Sequence, residues 1–161
     1  MRILNKISVV GVLLSAVFYL GSCGGGGGGT SSVNPTGSGS ETLDPVTKLI
    51  TGSFTTMNVV NATAAHIHDG DVGVAGPVVV PLTQSSPGTW TVPANTALTD
   101  AQIARLQAGG YYVNVHTTLN PLGEIRGQLV ASSTNPNMFT ATLDRAHEVP
   151  APTIPAGGAS Y

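Results

Sequence analysis

The chain has 161 residues, a net charge of -2, charged residues at only 9 %, and a single cysteine. No basic run is present to neutralise a row of phosphates, which excludes a nucleic-acid partner, and one cysteine excludes an intrachain disulfide framework. Low charge with abundant Thr, Val, Gly and Pro is the composition of a secreted β domain.

Arg2 and Lys6 lie in a short charged start, Ile7 to Leu20 is almost wholly apolar, and Leu20-Gly21-Ser22 sets small residues before Cys23. The pattern predicts a signal peptide over 1–22 with a lipobox, so that Cys23 carries a lipid after cleavage. Residues 23–40, opening with Gly24 to Gly29 and continuing rich in Ser, Gly, Asn and Pro, read as a flexible tether. The expected location is the cell envelope, held to the membrane by the lipid. Gly24 rather than Asp after the cysteine suits the outer membrane or cell surface of a Gram-negative cell. About 120 residues remain, enough for one compact domain.

Glu41 to Leu43, a turn at Asp44 to Lys48, and Leu49 to Met57 predict a hairpin. Val59 to His68 leads into a second strand, Asp69 to Pro77 is a glycine-rich loop, and Val78 to Val80 is a short buried strand ended by Pro81. Trp90 to Val92 reads as another strand. Thr99 with Gln102 forms a capping box, Ile103 and Leu106 supply an apolar stripe, and Gly109 a stop, which together predict one short crossover helix. Tyr111 to His116 and Glu124 to Val130 then form a hairpin across the loop Thr117 to Gly123. Symmetric pairing sets His116 opposite Glu124, Asn114 opposite Arg126 and Tyr112 opposite Gln128, a polar ladder on the outer face with Val113, Val115, Ile125 and Leu129 inside.

The chemistry concentrates on that face. In an extended strand His66 and His68 point the same way, with Ala65 and Ile67 turned to the core. A neighbouring strand carrying His116 brings three imidazoles towards one ion, a ligand set suited to copper or zinc, with Glu124 placed to orient the His116 ring. The competing reading has the three rings bonding loop carbonyls and the ladder of Asn114, Glu124, Arg126 and Gln128. His147 is a fourth ligand only if the tail folds back. Asp69 and Asp71 flank a glycine without the spaced acidic set of a calcium loop. No G-x-S-x-G elbow appears, and no catalytic residue is assigned.

Three segments carry a family resemblance: Ala65 to Leu82 (AHIHDGDVGVAGPVVVPL), Leu98 to Leu129 (LTDAQIARLQAGGYYVNVHTTLNPLGEIRGQL) and Phe139 to Pro152 (FTATLDRAHEVPAP). They resemble the CHRD domain, named after chordin. The resemblance implies an all-β, extracytoplasmic, non-enzymatic domain. The third segment resembles the start of such a domain, yet it comes last. Residues 41–132 therefore read as the CHRD domain, and 133–161 as a linker and a C-terminal strand from a permuted or truncated copy. That strand, with Phe139, Ala141 and Leu143 on one face, closes its own sandwich, fills a neighbour's groove by strand exchange, or stays loose.

The expected fold is an all-β, Greek-key-like antiparallel sandwich with one crossover helix. The expected function is a non-catalytic cell-envelope binding or assembly module with no cofactor and a protein or glycan ligand that the residues do not name. Its alternatives are a copper or zinc protein using His66, His68 and His116, and a structural subunit that self-associates through its C-terminal strand.

Overall fold

The computed structural model describes residues 34–154, so the signal segment, Cys23 and the tether up to residue 33 lie outside the described residues. Ten strands and one α-helix follow in chain order: β1 (Thr36–Leu43), β2 (Ile50–Met57), β3 (Ala62–Asp69), β4 (Val78–Pro81), β5 (Thr83–Ser86), β6 (Thr89–Thr91), α1 (Asp100–Gln107), β7 (Tyr111–Thr117), β8 (Ile125–Gln128), β9 (Val130–Ala131) and β10 (Met138–Leu143). All named pairings are antiparallel. They build a six-stranded sheet, β5-β6-β2-β1-β10-β9, and a four-stranded sheet, β4-β3-β7-β8. The expected all-β sandwich is the fold.

Between the sheets lies one core, in which Leu43, Ile50, Phe54, Ile67, Val113, Val115, Ile125, Leu129, Phe139 and Leu143 are buried. Ala65 and Ile67 face it, as their phase against His66 and His68 predicts. Leu106 of α1 joins the core, Ile103 packs against it, and the Thr99/Gln102 capping box forms. The helix carries the chain from β6 in one sheet to β7 in the other.

Two boundaries differ from the sequence reading. β1 begins at Thr36, inside the stretch read as tether. Its inward positions Gly37, Gly39, Glu41 and Leu43 hide the alternation, since two of them have no side chain. A Cβ on Gly39 would meet Phe54 Cα and Cδ1 at 2.6 Å, so the missing side chain makes room for a core aromatic. β4 is an edge strand, not a buried one, with Val78 half exposed and only Val80 in the core.

β10 pairs with β1 from Gly37↔Leu143 to Thr42↔Met138 and with β9 on its other side. Phe139, Ala141 and Leu143 are buried within their own chain. The last strand thus closes the sheet that the first strand opens. Beyond it, a 3-10 turn at Arg145–His147 and the segment to residue 154 fold back across the four-stranded sheet.

Candidate metal centre

β3 and β7 pair with His66 opposite Asn114 and His68 opposite Tyr112, which makes His116 a diagonal neighbour of His66. The three rings converge: one nitrogen from each of His66, His68 and His116 lies within 4.8 Å of the others. His66 Nδ1 and His116 Nε2 are 3.0 Å apart. Two nitrogens bound to one ion at about 2.0–2.1 Å sit ~2.9–3.4 Å apart in four-coordinate geometry, so this pair is already at ligand spacing.

Two loops fix which nitrogen is free. His68 Nδ1 lies 2.9 Å from the Gly76 carbonyl and His116 Nδ1 3.1 Å from the Pro121 carbonyl. A carbonyl only accepts, so each Nδ1 carries the proton and each Nε2 keeps its lone pair. His68 Nε2 is buried and has no hydrogen-bond partner among the described residues. Burial holds all three imidazoles below their ordinary range, His116 at about 4; a neighbouring ring adds to it at His66 and His116, and the Arg126 charge at His68. The rings are neutral at pH 7, the form that binds a metal.

The polar ladder forms in the predicted register, with Tyr112 opposite Gln128 and Asn114 opposite Arg126. It is not an outer face. Asn114, Glu124 and Arg126 are 3 %, 4 % and 1 % exposed. The cover comes from the loop after β3 and from the C-terminal segment. Arg126 Nη2 donates to the Asp71 carbonyl at 2.8 Å, Gln128 Nε2 to those of Gly70 and Gly109, and the Gly76 N–H to the Tyr112 hydroxyl at 3.1 Å. The ladder thereby pins the loop whose Gly76 carbonyl holds His68.

Glu124 does not orient His116. It accepts from Thr117 Oγ1, Asn120 Nδ2 and the Arg145 guanidinium, so it anchors the C-terminal segment instead. Nor do Glu124 and Arg126 form a surface ion pair: the Arg126 guanidinium stacks 3.4 Å above the centre of the Tyr112 ring. Tyr112 in turn stacks on His68, with centroids 5.0 Å apart and planes at 11°. Asp69 and Asp71 are engaged by Arg105 of α1 at 2.7 and 2.9 Å, which removes them as a calcium pair. His147 does not join the other three histidines; its ring bonds Asp144 and borders a separate cavity of about 310 Å³ with Val72, Arg126 and Gln128. Cys23 lies outside the described residues.

Sequence reasoning missed the clamp on the C-terminal segment. Asn120 exchanges hydrogen bonds with the backbone of Thr153, and Glu148 accepts from Asn114 Nδ2 at 3.3 Å. Burial pushes the Glu148 carboxyl up to about 7. No periodicity marks these residues; only the family-like segment containing His147-Glu148-Val149-Pro150 points to them.

Residues 27–129 match the family model described as the CHRD domain. The chain belongs to the CHRD family. At the family level, membership points to a binding module of a generally non-enzymatic kind. The match ends at Leu129, so the CHRD model stops short of β9 and β10, although both complete the six-stranded sheet here. No curated protein and no solved structure matches the chain.

Proposed function

We propose that this CHRD protein is a lipid-anchored, non-catalytic binding module of the cell envelope, and that its ligand is a copper or zinc ion held by His66, His68 and His116. The observation that carries the reading is the buried, unpartnered Nε2 of His68, beside a His66/His116 pair at 3.0 Å. A buried polar atom without a partner costs on the order of 1–3 kcal/mol, and an ion bound there removes that cost. Cys23, behind its apolar leader, supports the anchor. The pairing of β10 within its own chain supports a closed monomer as the binding form.

Isothermal titration of the chain from residue 23 onward, carrying Cys23→Ser so that no thiol competes, tests the site. One equivalent of metal taken up with micromolar affinity or better is expected, and His68→Ala abolishes it. Unchanged uptake in His68→Ala would place the metal elsewhere. A single peak of monomer mass in light scattering is the expected assembly state.

A further inference from the structure

The three-histidine site has an electrostatic peculiarity. Its donors are three neutral imidazoles, so a bound ion keeps its whole charge. The two buried carboxylates of the covered face, Glu124 and Glu148, are turned to other work. Glu124 is taken by Arg145, Asn120 and Thr117, and Glu148 by Asn114 and the Val149 N–H. Meanwhile a fully buried guanidinium, Arg126, stacks on the same Tyr112 ring that stacks on His68. The centroid separations of 3.4 and 5.0 Å put that cation no more than ~8.4 Å from the His68 ring centre by addition of the two distances. Glu148 offsets the guanidinium only in part, because burial keeps its carboxyl half protonated near neutral pH.

The cost of burying an ion rises with the square of its charge, so a dication pays about four times what a monocation pays for the same loss of water. The repulsion from Arg126 doubles as well. Zinc sites offset such costs with thiolates or carboxylates among the ligands, or with a water in a fourth position. His68 is buried, His66 and His116 are half-buried, and among the described residues no Asp or Glu joins the three nitrogens.

From this arrangement we infer that the site selects monovalent copper over zinc(II), with Arg126 as the residue that sets the preference. The inference rests on the three-histidine reading above and narrows it to one ion. Arg126 is a positioning and charge-setting residue here, since it reaches the ion only through Tyr112.

The test is a competition on the same Cys23→Ser chain under nitrogen, with Cu(I) kept reduced by ascorbate and delivered from a chromogenic chelator. The expected result is uptake of one equivalent of Cu(I) that a tenfold excess of Zn(II) does not displace. Displacement by Zn(II), or equal affinity for the two ions, would overturn the selectivity while leaving the histidine site standing. Failure of both ions to bind would overturn the site and the inference together. Arg126→Met provides the second arm: Zn(II) affinity rises roughly tenfold while Cu(I) affinity changes less. An equal change for both ions would show that Arg126 acts through packing alone. Should Arg126→Met fail to fold, the wild-type competition decides the inference by itself.

Discussion

Glu41 lies in the sandwich core, 1 % exposed, with neither carboxylate oxygen hydrogen-bonded. Burial pushes its carboxyl from 4.5 up to about 7. The folded chain holds a proton there that the unfolded chain releases near 4.5, so the stability from this group is full below that pH and is lost as pH rises through about 7. Replacing the acid by its neutral isostere in Glu41→Gln should abolish the loss. Relative to wild type, the variant gains about 2–3 kcal/mol on going from pH 5 to pH 8.5, read from urea unfolding at both values. Glu148, raised for the same reason, contributes a slope of the same sign in both chains. The three histidines, held below their ordinary range, add a slope of opposite sign that both chains share, so the comparison decides: a stability difference between Glu41→Gln and wild type that is the same at both pH values would show that Glu41 is solvated or paired in solution. At this scale the sequence is a partial guide. The alternation places Glu41 in phase with Leu43, but a lone acid in a Gly/Ser-rich stretch gives no sign that the opposite sheet will seal it in.

Among the elements, β7 and β8 were the most legible. Both strands alternate, and the observed register buries Val113, Val115, Ile125 and Leu129 together, whereas a one-residue slip would turn one strand's set outward. β1 was the least legible, because Gly37 and Gly39 stand where a strand normally shows its core residues. Their absence of side chain is a packing requirement, and Gly39→Ala tests it: the added methyl meets the Phe54 backbone and ring. Overpacking of this kind costs about 1–3 kcal/mol, measured as a lower urea midpoint with an unchanged slope. The polar ladder shows the other limit of sequence reasoning. Pairing partners follow from local pattern, but whether a face is open depends on segments far away in the chain. Here the cover is the loop after β3 and residues 144–154, held through Arg126, Gln128, Glu124 and Asn120.

For the whole molecule, the segment beyond the matched CHRD region is part of the fold. Removing residues 138–161 strips Phe139, Ala141 and Leu143 from the core, unpairs β1 along one side and uncovers Arg126. The truncated chain should therefore lose its cooperative thermal transition in circular dichroism. Recovery of that transition on adding a peptide of residues 138–154 identifies the open edge of β1 as the receiving groove. A truncated chain that melts as before would mean that β10 is an accessory strand. The same geometry explains why the histidine cluster was readable only in outline. The His66/His68 spacing showed one shared face, but the ring tautomers depend on the Gly76 and Pro121 carbonyls, and those depend on loops held by distant side chains.

The place of β10 between β1 and β9 also dictates a timetable. A ribosome delivers β1 well before β10, so one side of β1 stays unpaired until β10 has been made. Until then β1 lacks its partner on that side and β9 lacks its neighbour in the sheet. Completion then comes in one late step, in which a single six-residue strand docks into a slot of matching length and the polar face receives its cover. Synthesis order thus sets when the β1 edge is paired and the polar face is covered.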